Sequence, residues 1–272
     1  MNELPIGVFD SGVGGLTVAR EVLRQLPEES VLYLGDTARV PYGPRGQETI
    51  RRFARELAGF LLDRGVKALV IACNSISAIA GEDIRRMSPV PVIDVIDPTV
   101  RAAVAATRTG RLGVIGTVTT VRSGIYRELA RGIRGDVEVS GRECPLFVPI
   151  AEENLQDHPV AELMAREYLR AFEAERPDVL ILGCTHYPLL KDVVGKVMGP
   201  EVRLIDSAEP TVRVLAEELD RRGLRRRGEP RHRFYVTDAS YKFIEIASAI
   251  MTQDVSPHVE QIALEEVAVE RC

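Results

Sequence analysis

Runs of apolar and β-branched residues recur along the chain at 5–9, 30–34, 67–72, 90–95, 111–115, 145–149, 178–182, 201–205 and 232–236, and predict buried strands. Most intervals between them carry apolar residues at helical spacing. In 48–64, for example, Ile50, Phe53, Leu57, Phe60 and Leu61 fall on one stripe. Alternating strand and helix predicts an α/β fold with mainly parallel sheets. No apolar run reaches the roughly 18 residues of a membrane helix. The N-terminus runs within a few residues into the strand-like Ile6-Gly7-Val8-Phe9, with no signal-peptide pattern, so a cytoplasmic protein is expected.

The pattern also repeats itself. Ile93-Asp94-Val95-Ile96-Asp97-Pro98-Thr99-Val100 returns 112 positions later as Ile205-Asp206-Ser207-Ala208-Glu209-Pro210-Thr211-Val212. Val66 to Ser75 is echoed by Pro177 to His186, and Ile6-Gly7-Val8-Phe9 by Leu112-Gly113-Val114-Ile115. Such self-similarity predicts two similar, doubly wound α/β domains related by a pseudo-twofold. The expected boundaries are 1–97 plus 209–272 for the first, discontinuous domain and 98–208 for the second. In doubly wound sheets ligands bind at the carboxyl ends of the strands. Cys73 and Cys184 occupy equivalent places there, so facing domains bring one thiol from each to opposite sides of a single cleft.

Composition narrows the class. With 272 residues, 45% apolar and 28% charged, the chain reads as an ordinary globular protein. A net charge of −5 argues against nucleic acid, which selects for clustered excess Lys and Arg. The arginine-rich stretch of Arg221, Arg222, Arg225, Arg226, Arg227, Arg231 and Arg233 reads as a solvated loop broken by Gly223, Gly228 and Pro230. The four cysteines, Cys73, Cys144, Cys184 and Cys272, form no CxxC pair, so thiol chemistry is expected rather than a disulfide framework.

A thiol acts as thiolate, so its pKa must be lowered or its proton removed during reaction. Asp10 at the end of the first strand and His186, two residues after Cys184, are candidate proton-handling neighbours. One such cysteine alone reads as a small buried apolar residue; the repeated placement favours two acid/base stations. Cys144 and Cys272 lack that context and read as structural.

Two other readings compete. Cys73, Cys184 and His186 could form a Cys2His zinc set, although Cys-x-His lacks the usual ligand spacing. The loop Asp10-Ser11-Gly12-Val13-Gly14-Gly15, with Asp36 after the second strand, is reminiscent of dinucleotide binders. However, Thr17 replaces the third glycine, and Asp10 would repel a pyrophosphate. Open amides in this loop suit a carboxylate better. Tyr42, Gly43, Asn74, Ser75 and Thr185 read equally as turn and cap residues or as substrate contacts. Glu152 and Glu153 read as a solvated helix start.

The motifs together resemble bacterial glutamate racemases along nearly the whole chain. The carrying segments are 9–17, 35–43, Ala72-Cys73-Asn74, 144–149 and Gly183-Cys184-Thr185-His186-Tyr187-Pro188-Leu189. The resemblance implies Cys73 and Cys184 as the acid/base pair, with Asp10 assisting the first and His186 and Glu152 the second. It also implies substrate contacts from Asp10, Ser11, Tyr42, Gly43, Asn74, Ser75, Thr185 and His186, with no pyridoxal phosphate, metal or nucleotide as cofactor. A small amino acid is then the partner, with neither nucleic acid nor membrane. The product D-glutamate serves peptidoglycan, and the family is often dimeric, which makes a homodimer an open expectation. The chain's lysines, Lys67, Lys191, Lys196 and Lys242, sit in no evident Schiff-base motif. Related aspartate racemases generally read Gly-Cys-Thr-Glu, so His186 favours glutamate. Ser75-Ile76, where the family usually has Thr-Ala, and Asp97-Pro98-Thr99, where Glu-Pro-Gly is common, are departures that bear on pocket shape. An aspartate racemase and a non-catalytic amino-acid-binding protein are the alternatives.

Overall fold

Strands buried on both faces must be apolar along their whole length, and most of the strands here are. The computed structural model describes residues 2–252 and 254–264; Cys272 lies outside them. In chain order the strands are β1 (Ile6–Asp10), β2 (Val31–Gly35), β3 (Ala68–Ile71), β4 (Val92–Asp94), β5 (Arg111–Gly116), β6 (Glu138–Glu143), β7 (Val179–Gly183), β8 (Arg203–Ile205), β9 (Arg233–Val236) and β10 (Val259–Gln261). They form two sheets, ordered β10-β9-β2-β1-β3-β4 and β6-β5-β7-β8. Every pairing is parallel.

The smaller sheet repeats the order of the larger. In each, the second strand of the unit lies outside the first, followed by the third and fourth; β9 and β10 extend the larger sheet beyond β2. The register agrees, since Phe9 pairs with Ile71 in one sheet and Ile115 with Leu182 in the other. One core runs through both units. Leu16, Val100, Leu112, Tyr126 and Leu215 belong to a single buried cluster. The helix Ala208–Arg221 packs on both Leu16–Gln25 and Asp97–Ala106 and ties the units together.

Three expectations are corrected. The run 145–149 is not a strand: Phe147–Glu152 is a short helix, and the strand at that edge is β6. An edge strand is half-solvated, so β6 has no apolar run to announce it. The short edge strand β10 was likewise unmarked. Within the arginine stretch, Arg221, Arg222 and Arg225 do pair with Glu218 and Asp220 at the surface. Arg226, however, docks, its backbone N–H donating to Glu29 and its guanidinium to the carbonyls of Glu3 and Glu229.

Candidate active site

Cys73 and Cys184 stand just past the carboxyl ends of β3 and β7, and both are buried. Each begins a different relay of polar contacts.

On the Cys73 side, the thiol reaches Ser11 Oγ at 3.4 Å, and Ser11 Oγ donates to Asp10 Oδ1 at 3.4 Å. Asp10 Oδ2 also accepts the backbone N–H groups of Gly12 (3.1 Å) and Gly15 (2.8 Å). The carboxylate that ends β1 thus folds back into its own glycine loop. This corrects the view of that loop as an open anion site, since two of its amides already hold Asp10. Burial raises the pKa of Asp10, against the charge of His186 and the loop amides. Burial, reinforced by the nearby Asp10, also pushes the Cys73 thiol well up.

On the Cys184 side, the sulfur lies 3.7 Å from His186 Nδ1, and His186 Nε2 lies 2.9 Å from Glu152 Oε1. Burial alone would lower the His186 pKa. Hydrogen bonds to Cys184 and Glu152, with their charges, outweigh it and raise the value to about 10. Glu152 is pushed up by burial but held below the usual carboxylate range by His186 and Lys242. The adjacent acids therefore divide: Glu152 turns inward, while Glu153 pairs at the surface with Lys242.

The two relays interlock. Gly14 lies so close to the Cys184 side that a Cβ there would come within 2.5 Å of His186 Nδ1 and 2.7 Å of Thr185 Oγ1. Thr17 Oγ1 donates to the Gly14 carbonyl at 2.8 Å and lies 3.2 Å from the Thr185 carbonyl. In the opposite sense, Ser75 Oγ lies 2.9 Å from Thr117 Oγ1, and Asn74 Nδ2 donates to the Tyr126 hydroxyl at 2.8 Å. Asp10, Ser11, Cys73, Asn74, Ser75, Glu152, Cys184, Thr185 and His186 are thereby linked in one contact network.

Tyr42 and Gly43 lie beside this network, and a Cβ on Gly43 would come within 3.1 Å of Thr117 Cβ. The Tyr42 hydroxyl donates to the buried Asp36 carboxylate, and its ring packs against Phe53 at 5.4 Å between centroids. Gly43 offers its carbonyl to Thr119 Oγ1 at 2.6 Å. Asp36 is also bound by Arg39 and Thr237, so it serves the core rather than a ribose. Cys144 lies in a separate buried cluster with Phe147 and Leu182, its sulfur 3.7 Å from the Arg142 carbonyl. Among the described residues, no three His, Cys, Asp or Glu side chains converge as metal ligands would. Sequence reasoning missed Thr117, Thr120, Tyr126 and Ser207. The repeat contained the signal, because Thr117 follows β5 as Ser11 follows β1.

The Asp/Glu/Hydantoin racemase family model matches residues 6–215, a span that holds both thiols and both relays. The chain belongs to this family. A glutamate racemase of Geobacter metallireducens is 48% identical over 264 residues, covering 96% of this chain and 97% of that protein. The crystal structure of the Bacillus anthracis glutamate racemase isoform RacE1 superposes with a TM-score of 0.94 at 39% identity, covering 97% of this chain and 99% of that one. A Francisella tularensis glutamate racemase in complex with D-glutamate gives a TM-score of 0.92 at 38% identity, with the same coverage of 97% and 99%. The racemase family membership thus spans the fold as well as the motifs. Among the described residues of this family member, no helix is long and apolar enough to cross a membrane.

Proposed function

We propose that this chain interconverts L-glutamate and D-glutamate by passing protons between Cys73, Cys184 and the substrate α-carbon. The observation that carries the reading is the equivalent placement of the two thiols, each with its own proton-handling partner. We take 1–97 plus 209–272 and 98–208 as the two domains, so that one thiol comes from each.

At rest the two sides differ. The His186 imidazole, whose basicity is raised, lies 3.7 Å from the Cys184 sulfur, whereas burial pushes the Cys73 thiol up beside Ser11 and Asp10. In each direction of reaction one sulfur acts as base and the other as acid. The thiolate removes the α-proton; the C–H electron pair moves into the α-carboxylate, and the opposite thiol delivers its proton to the far face. The centre inverts, and the thiols have exchanged protonation states. To the hydroxyls of Ser75, Thr117, Thr120 and Thr185 we assign the stabilisation of charge developing on the carboxylate, the electrostatic contribution that commonly dominates such catalysis. On the Cys73 side, Ser11 relays to Asp10; on the other, Glu152 holds His186 in place.

We assign the D-glutamate to peptidoglycan supply in the cytoplasm, with a small amino acid as partner and neither nucleic acid nor membrane. A homodimer follows the family habit, and light scattering on the eluted protein reads it directly.

The test is proton NMR of each glutamate enantiomer in deuterated water with reductant. Loss of the α-proton signal with formation of the other enantiomer is expected, with aspartate much slower. Cys73→Ala and Cys184→Ala should each lower turnover by about 10³-fold, within the range for losing a positioned acid or base. No exchange from either enantiomer with folded protein would reject the reading.

A further inference from the structure

The residue following each thiol is held from the other half of the molecule. Thr17, the second residue of the helix Leu16–Gln25, places its hydroxyl 3.2 Å from the backbone carbonyl of Thr185. Tyr126, the second residue of the helix Ile125–Ile133, accepts from the side chain of Asn74 at 2.8 Å. Thr185 follows Cys184 and Asn74 follows Cys73, so the two contacts are counterparts in the repeat. They differ in what they grip: one holds a backbone, the other a side-chain amide that can be oriented two ways.

A primary amide has two N–H donors and one carbonyl acceptor. Asn74 Nδ2 points both donors at hydroxyls, Tyr126 at 2.8 Å and Ser207 Oγ at 3.4 Å. Its Oδ1 is buried and has no hydrogen-bond partner in the protein. Asn74, Tyr126 and Ser207 are 2%, 4% and 2% exposed, so bulk water does not substitute freely for any of them. A buried acceptor left without a donor is unfavourable by about 1–3 kcal/mol. Asn74 directly follows Cys73 in the chain, and an amino-acid substrate brings a donor in its ammonium group.

We propose that Tyr126 and Ser207 are positioning residues that lock the Asn74 amide so that Oδ1 accepts a hydrogen bond from the substrate α-ammonium. The inference rests on the racemase reading above. Without the two hydroxyls the amide is free to rotate, and the rotated form turns N–H groups toward a cation. Ser207 sits where the chain returns from the second unit to the first, at the start of the helix Ala208–Arg221, so this orientation depends on three separate segments.

The experiment combines calorimetric binding with racemisation kinetics for the wild type, Tyr126→Phe, Ser207→Ala and Asn74→Ala, and for both hydroxyl variants in the Asn74→Ala background. Tyr126→Phe should raise the Kd and KM of both glutamate enantiomers about tenfold, and Ser207→Ala about threefold, as expected for hydrogen bonds supporting a charged contact. Competitive inhibition by glutarate, the same diacid without an amine, should be unchanged. Neither hydroxyl variant should add to the loss in Asn74→Ala. A Tyr126→Phe enzyme with unaltered KM, an equal loss for glutarate, or a loss that persists without Asn74 would each overturn the inference. Those results in a racemising wild type leave the racemase reading standing; a wild type that neither binds nor turns over glutamate removes both.

Discussion

The imidazole of His186, caught between the Cys184 sulfur and the Glu152 carboxylate, keeps its proton beyond the pH at which an exposed histidine releases it. Hydrogen bonds to Cys184 and Glu152, and their charges, outweigh burial and raise its pKa from the ordinary 6.5 to about 10. Between those values the folded state binds more protons than the unfolded one, so this contribution to stability is complete below about pH 6.5 and disappears as pH rises through about 10. Thermal melts across that interval should show stability falling, and Glu152→Gln, which removes a hydrogen bond and a charge, should flatten the fall. A slope unchanged by the substitution would mean that Glu152 does not hold the proton. Tyr42 makes the opposite kind of prediction. Its hydroxyl serves the buried Asp36, so Tyr42→Phe should lower stability by about 1–3 kcal/mol in denaturant titration while leaving KM nearly unaltered. These two residues mark the limit of legibility at this scale. The thiols were readable because the repeat places them twice at equivalent strand ends. Glu152 and Glu153 are adjacent and chemically identical in the sequence, and only the helical turn decides which one faces His186. The direction of the Tyr42 hydroxyl depends on a loop folding back onto Asp36, which residue type does not encode.

At the level of elements, the glycine loop after β1 shows how a familiar pattern acquires a different use. Its glycines do not clear a path for phosphate; Asp10 fills two of the amides, and Gly14 lets the other unit approach. Gly14→Ala sets a methyl group 2.5 Å from His186 Nδ1 and 2.7 Å from Thr185 Oγ1. Both obstructing atoms belong to side chains, which can yield more readily than backbone, so the fold should survive with a small drop in Tm. The imidazole that the proposed mechanism uses, however, must move, and displacement of about 1 Å commonly lowers turnover by about 10²-fold. Steady-state kinetics beside a melting curve would separate the two effects, and a variant with normal kcat would show that His186 tolerates the shift. Buried strands and amphipathic helices were legible because both faces of each sheet are covered. The misassigned run at 145–149 shows the complement: Phe147 and Ile150 are buried because a short helix packs inward, and apolar character alone does not distinguish that from a strand.

On the scale of the whole molecule, two sheets of the same order meet through a continuous core, yet the chemistry at their strand ends is not duplicated. Cys73 leans on a hydroxyl and a carboxylate; Cys184 leans on an imidazole and a carboxylate. Unlike surroundings give the two directions of reaction unlike maximal rates. In achiral water, however, the enantiomers have the same free energy, so their equilibrium constant is one and kcat/KM must be equal in both directions. Whatever one relay gains over the other in kcat is returned in KM by the same factor. Replacing His186 with Asn should therefore lower kcat/KM for L- and D-glutamate alike, however unevenly it divides between kcat and KM, and paired progress curves from both enantiomers read this directly. The asymmetry of the cleft regulates which form of the enzyme accumulates at a given substrate level, and no substitution on either side can make the enzyme a one-way catalyst.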